Sequence, residues 1–176
     1  MKRSLLLLLT AITILSACKK DGIAKKDEFQ DSYKKFTDFK ASVSNSYIYV
    51  VATGSVFGSS SSTTLTVKNG KVVARSYQHY RRDGNGPNVL VTSWDEDGSS
   101  IATHNEGAEP LTLDQVYDKA KNEWLKADTK TNKIYFETDA NGLLASCGYV
   151  PDGCQDDCFR GITITSIKAF AQIVLF

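Results

Sequence analysis

Hydrophobic positions recur with two different periods along this chain, and each period predicts a different kind of element. Four aromatic residues, Phe29, Tyr33, Phe36 and Phe39, are separated by four, three and three positions. This spacing places them on one face of a helix, which we expect to pack against a sheet. Residues 47–57 are instead rich in β-branched and aromatic side chains, which favours a strand.

A β-hairpin is predicted next, followed by further strands. Residues 63–68 alternate threonine with leucine and valine, and residues 71–80 form the returning strand. The Asn69-Gly70 pair between them is a strong hairpin signal, because a type I′ turn needs positive φ at both central positions. Further strands are predicted at residues 89–94, 134–136, 143–150 and 162–167.

A second helix is predicted to begin after Thr112. Thr112 and Gln115 have the spacing of a capping box, in which each side chain bonds the backbone N–H of the other residue. The apolar stripe along this helix consists of Leu113, Val116, Ala120 and Trp124. Together these elements predict an α+β fold. It has an antiparallel sheet of about five to seven strands and two packing helices, in a single domain at residues 29–176.

The start of the chain has the pattern of an export signal. Met-Lys-Arg is followed by a mainly apolar run over residues 5–14, which is about the length of a signal-peptide core. The run is shorter than the roughly 20 residues that a membrane-spanning helix needs. It ends in Leu-Ser-Ala-Cys at Cys18, which resembles the lipobox of bacterial lipoproteins. In that motif the signal peptide is cut before the cysteine, whose thiol carries diacylglycerol and whose amine is then acylated, for instance with palmitate.

These motifs predict a lipoprotein. We expect a cleaved signal peptide at residues 1–17 and a lipidated Cys18, followed by a charged tether that ends at residue 28. The lipid attaches the domain to the bacterial cell envelope, and we predict the outer membrane, facing either the periplasm or the surface. The whole chain carries a formal net charge of +1, and removing residues 1–17 also removes two basic residues. A nearly neutral chain lacks the basic field that nucleic-acid binding needs.

Several stretches together resemble a known family. They are "TLTVKNGKVVARSY", "THNEGAEPLTLDQVYDKAK" and "IYFETDANGLLASCGYVPDGCQDDCFRGITI". With the lipobox and the aromatic helix, they resemble small bacterial lipoproteins and secreted proteins classed as a domain of unknown function. Members share an Asn/Asp-Gly-Lys-Val hairpin, a Thr-capped helix and an acidic C-terminal loop. The resemblance covers roughly residues 29–170 and implies an α+β fold and an envelope location, with no catalytic residues to transfer.

Candidate chemistry before the second helix centres on His104. Glu106 and Glu109 follow it closely, and a carboxylate could orient its imidazole for base catalysis. The alternative is that His104 hydrogen-bonds loop backbone. The sequence contains no nucleophile elbow, phosphate-binding loop, dinucleotide fingerprint or His-Glu-x-x-His helix. We therefore predict no catalytic residue, no cofactor and no resident metal, and keep His104 and Glu106 as possible binding residues.

The stretch "CGYVPDGCQDDC" at residues 147–158 contains three cysteines in a compartment that favours disulfides. The spacing Cys-x₆-Cys-x₃-Cys offers only one zinc-like pair and no nearby histidine. We therefore predict one disulfide among Cys147, Cys154 and Cys158. All three pairings are open, and we favour Cys147–Cys158 because it would brace the neck of the hairpin.

The acids of the same loop are possible binding residues. Asp152, Asp156 and Asp157 do not follow the alternating pattern of an EF-hand calcium loop. We still consider them able to contact a partner through side-chain oxygens.

Three functions follow from these observations. The favoured one is a lipid-anchored, non-enzymatic domain that binds another envelope component, such as a protein partner. The second is a metal-dependent or hydrolytic module that uses His104 and nearby acids. The third is an inhibitor or immunity-like protein that presents residues 147–158 to a secreted hydrolase.

Overall fold

The strands form one antiparallel sheet in the computed structural model, which describes residues 22–82 and 84–170. The elements in chain order are α1 (Lys26–Ser42), β1 (Tyr47–Gly54), β2 (Ser59–Lys68), β3 (Lys71–Arg81), β4 (Val89–Asp97), α2 (Leu113–Asn122), β5 (Asn132–Thr138), β6 (Leu144–Pro151) and β7 (Arg160–Ala169). The sheet has seven strands in the order β4-β3-β2-β1-β7-β6-β5. Pairing of β1 with β7 joins the first four strands to the last three.

Both helices cover the same face of the sheet, so the prediction of an α+β fold with two packing helices is confirmed. Alternate residues of β1 and β2 are buried, and they form one core with apolar residues of α1 and α2. The rings of Phe36 and Tyr117 stack with their centroids 4.8 Å apart and so join the two helices directly. Tyr33 belongs to the predicted aromatic face of α1, but it lies at the margin of the core with 45% of its surface exposed.

The local signals in the sequence act as expected. Asn69 and Gly70 have φ values of 48° and 74°, as a type I′ turn requires. The Thr112 side chain accepts a hydrogen bond from the backbone N–H of Gln115, and the Gln115 side chain accepts one from the N–H of Thr112. Tyr47 further fixes this helix start, because its hydroxyl accepts a bond from the N–H of Leu113 at 2.9 Å.

The fold begins earlier than the predicted end of the tether. Helix α1 starts at Lys26, the backbone N–H of Ala24 donates to the carbonyl of Leu125, and Ile23 packs against the core. Residues from 23 onward are therefore fixed to the domain. The signal peptide and Cys18 lie outside the described residues. Within the described ranges, no helix has both the length and the apolar character that crossing a bilayer requires.

Candidate functional site

A buried ion pair joins β3 to β4 beside the helix layer. Arg75 and Glu96 are cross-strand partners, and their side chains are 3% and 0% exposed. Two parallel hydrogen bonds of 2.9 Å connect the guanidinium to the two carboxylate oxygens. The guanidinium also lies 4.6 Å from the ring centroid of Trp94. The Arg75 guanidinium therefore holds the pKa of the Glu96 carboxyl well below its usual range.

Glu96 also anchors the segment that connects β4 to α2. Its carboxylate accepts hydrogen bonds from the backbone N–H groups of Ala102 at 2.8 Å and His104 at 2.7 Å. The hydroxyl of Thr103 donates a third bond at 3.1 Å. A buried charge is tolerated only when it is paired and hydrogen-bonded, and this carboxylate meets both conditions.

Arg75 anchors the same segment by donating hydrogen bonds to backbone carbonyls of that segment. The guanidinium donates to the carbonyl of His104 at 2.8 Å and to that of Ala108 at 2.9 Å. The backbone N–H of Ala108 in turn donates to the hydroxyl of Thr63 on β2. The ion pair therefore holds residues 102–108 against the sheet, with Glu96 bonding backbone N–H groups of the segment and Arg75 bonding its carbonyls.

His104 is held by a carboxylate, but not by one that follows it in the chain. Its Nδ1 lies 2.9 Å from Glu96, and its ring stacks on Trp94 with centroids 4.3 Å apart. Glu109 instead pairs with Lys119 at 2.9 Å, and Glu106 is exposed on the loop. The imidazole side chain is 42% exposed. The sequence signal that could have identified Glu96 as the partner of His104 is the alternation in β4, which places Trp94 and Glu96 on one face of the strand.

A cleft of about 350 Å³ lies beside the anchored segment, and we call it the helix-side cleft. Strands β1, β2 and β7 form its floor, while residues 107–111, Lys119 and Trp124 form its wall. On the floor the hydroxyls of Thr53 and Ser61 lie 2.7 Å apart. The wall is preformed, because its residues continue directly from the segment that Arg75 and Glu96 hold.

A larger recess of about 760 Å³ adjoins this cleft and shares four lining residues with it, Val51, Thr53, Gly161 and Ile162. Asp157 and Phe159 bring the cysteine-containing loop to the recess. The Ser55 hydroxyl donates to the Asp157 carboxylate at 2.6 Å. The loop therefore contributes to the recess through a definite contact with the turn after β1.

The disulfide joins Cys154 to Cys158, so the favoured Cys147–Cys158 pairing is wrong. Cys147 is a free and fully buried residue of β6, paired in register with Phe136 and Ile162. Its side chain belongs to the core, away from the exposed loop that carries the other two cysteines. Burial raises the pKa of the Cys147 thiol to about 12, which keeps it protonated at neutral pH.

The other loop acids remain exposed at separate places. Asp152 donates its backbone N–H to Thr131, and Asp156 lies in a left-handed turn with φ of 61°. Of the three acids, Asp157 alone has a side-chain hydrogen bond to another described residue. Across residues 22–82 and 84–170, no group of three or more His, Cys, Asp or Glu side chains has an arrangement that could hold a metal ion.

The fold and site define an α+β domain with a one-sided, seven-stranded sheet and a ligand-sized cleft on its helix side. Models of known protein families, curated proteins and solved structures give no match to this chain. The resemblance to lipoproteins of unknown function therefore stays a prediction.

Proposed function

We propose that this chain is a lipid-anchored, non-enzymatic binding domain of the bacterial envelope, and that its ligand occupies the helix-side cleft. The observation that carries the proposal is the preformed cleft, whose wall is held by the buried Arg75–Glu96 pair. Preformed concave sites with a few fixed polar groups are typical of small-molecule binding. The lipobox at Cys18 supports the anchor.

The chemistry of the cleft favours a small polar ligand. Its volume of about 350 Å³ lies near the lower end of the range for ligand sites. The hydroxyls of Thr53 and Ser61 can each donate and accept hydrogen bonds. Trp124 adds an apolar surface and an indole N–H, and the Lys119–Glu109 pair places one charge of each sign in the lining.

A catalytic role for His104 has less support. Glu96 would have to accept a changing charge on the imidazole, but Arg75 already neutralises this carboxylate through two hydrogen bonds. The same oxygens also hold the backbone of the connecting segment. This arrangement suits a group that positions a loop better than one that exchanges protons during turnover.

Occupancy of the cleft is tested by nuclear magnetic resonance with a set of monosaccharides, amino acids and dipeptides. We expect at least one of these probes to shift the indole signal of Trp124. Replacing Ser61 with phenylalanine fills the cleft and should abolish that shift. The matched Ser62→Phe variant changes the opposite face of the same strand and should retain it. If no probe shifts the Trp124 signal, or if both variants behave alike, the cleft is not the binding site.

The anchor is tested in the intact protein by mass spectrometry of its N-terminal peptide and by membrane fractionation. We expect the mature chain to begin at Cys18, to carry acyl chains and to sediment with membranes. A Cys18→Ser variant should lose the lipid mass and any sedimentation that survives a high-salt wash, because several acyl chains provide a stable attachment that salt does not screen. The Cys154→Ser/Cys158→Ser control should keep them. If Cys18→Ser protein sediments as completely as the unmodified chain after the high-salt wash, the lipid is not the anchor.

A further inference from the structure

We infer that the surface between α1 and α2 docks this domain onto an anionic phospholipid membrane; the inference rests on the proposed lipid anchor. This surface, which we call the α1–α2 groove, is a depression of about 400 Å³. It begins at Gly22 and Ile23 and continues between the two helices. It is separate from the helix-side cleft.

The position of the groove relative to the proposed lipid is the first reason. Gly22 follows Cys18 by only four positions, so the chain between them spans at most about 14 Å in any conformation. Ile23 packs against the core, and Ala24 bonds the carbonyl of Leu125. This end of the groove is therefore a rigid part of the domain, and its distance from Cys18 is limited by the short stretch between them. A lipid on Cys18 would keep the groove next to the bilayer surface.

The charge of the groove is the second reason. Among the described residues, Lys26, Lys34 and Lys121 line the groove together with a single acidic residue, Asp118. None of these three lysines has an ion pair within the described part of the chain. Three other lysines of the helix layer are each paired with an acid, namely Lys25 with Glu28, Lys40 with Asp114, and Lys119 with Glu109. Three lysines without an ion pair among the described residues thus lie where the short tether joins the domain, and anionic headgroups complement their charge.

An aromatic side chain accompanies these lysines. Tyr33 lines the groove and is 45% exposed, and its ring is stacked parallel to that of buried Phe29 with centroids 6.0 Å apart. Tyrosine favours the membrane interface, because its ring is apolar and its hydroxyl remains hydrated. Exposure of Tyr33 between Lys26 and Lys34 therefore fits a headgroup surface better than open solvent.

Docking through the groove would leave the ligand site open. Lys121 and Asp118 line the groove, whereas Lys119 lines the helix-side cleft. With 3.6 residues per turn, Lys119 and Lys121 project from nearly opposite sides of α2. The membrane and the ligand would therefore approach different flanks of the same helix.

Vesicle sedimentation tests the docking surface without the lipid anchor. A chain that starts at residue 19 retains every described residue of the fold. We expect it to sediment with phosphatidylcholine vesicles that contain phosphatidylglycerol, and not with phosphatidylcholine alone. A Lys26→Gln/Lys34→Gln/Lys121→Gln variant should bind the anionic vesicles at least roughly 20-fold more weakly, because each lysine near an anionic surface contributes to binding. A Lys71→Gln/Lys130→Gln/Lys168→Gln variant has the same charge change at exposed positions outside the groove and should bind within about threefold of the unmodified chain.

Three results would overturn the inference. These are equal losses in the two triple variants, no preference for phosphatidylglycerol, or full displacement by inorganic phosphate at the same ionic strength. The last result would identify a site for a free anion. The outcome is independent of the anchor test. If Cys18 carries lipid but the chain does not bind phosphatidylglycerol vesicles, the docking surface is wrong and the anchor stands. If the chain binds these vesicles but Cys18 of the intact protein carries no lipid, the anchor is wrong and the docking surface stands.

Discussion

Replacing Arg75 with methionine is expected to lower the melting temperature by roughly 10 °C or more. The loss is large because Glu96 would keep a buried negative charge with no cation beside it. The segment before α2 would also lose the bonds from Arg75 to the carbonyls of His104 and Ala108. Differential scanning calorimetry measures the effect directly. We also expect the Trp124 signal to broaden in the variant, since the wall of the cleft depends on that segment.

Two comparisons separate this effect from a general response to losing a positive charge. Lys71→Met changes an exposed residue of the same strand and should shift the melting temperature by no more than about 2 °C. The double variant Arg75→Met/Glu96→Leu should recover part of the loss, because it removes both buried charges together. An Arg75→Met protein that melts like the Lys71→Met protein would show that the ion pair does not support the fold.

The same ion pair gives a dependence on pH with a definite sign. Arg75 lowers the pKa of the Glu96 carboxyl in the folded protein from its ordinary value of 4.5. A group with a lowered pKa stabilises the fold above its ordinary pKa, and this contribution is lost as pH falls towards the folded value. The melting temperature should therefore decrease below about pH 4.5, and this Glu96 contribution should be smaller in the Arg75→Met variant. An identical acid response of the two proteins would assign the acid sensitivity to other carboxylates.

The features that the sequence predicts well depend on neighbours within a few positions. The Asn69-Gly70 turn needs only its own backbone angles, and the Thr112–Gln115 box lies within one helical turn. The aromatic spacing of α1 likewise specifies a helix before any partner is known. These local patterns therefore predict the helices, the hairpin and the fold class.

The site depends on register between strands, which local patterns do not specify. Arg75 and Glu96 are 21 positions apart and meet because β3 and β4 pair, with an irregularity in that pairing at His79 and Tyr80. A search for acids close to His104 in sequence consequently reaches Glu106 and Glu109 and misses the residue that binds its ring. Only the partner strand reveals the real network.

The disulfide prediction fails for a related reason. Simple alternation would place Leu144 and Cys147 on opposite faces of β6. A β-bulge shifts the pairing between β5 and β6, so Thr138 pairs with Leu144 and Glu137 with Ser146. The extra residue brings both Leu144 and Cys147 into the core. A bulge has no clear signature in a single sequence. From the sequence alone, the buried Cys147 therefore cannot be told apart from the cysteines of the loop.

Replacing Gly161 with alanine is expected to lower the free energy of unfolding by about 3 kcal/mol. A Cβ atom on Gly161 would lie less than 3.0 Å from backbone atoms of Cys147 and Gly148 on the neighbouring strand. Backbone cannot move aside as a flexible side chain can, so β6 and β7 would have to separate locally. Strand β7 is also the connection between β1 and β6, and its displacement would weaken the junction between the two parts of the sheet.

Urea unfolding of Gly161→Ala beside Gly54→Ala tests this argument, because a Cβ on Gly54 meets no atom within 4 Å. Both changes add the same methyl group to a strand glycine, so their difference isolates the close approach of β6 and β7. Equal midpoints for the two variants would show that the strands tolerate a side chain there. Gly161 also lines both the helix-side cleft and its adjoining recess. Loss of probe binding in a folded Gly161→Ala protein would therefore connect the strand contact to the shape of the proposed ligand site.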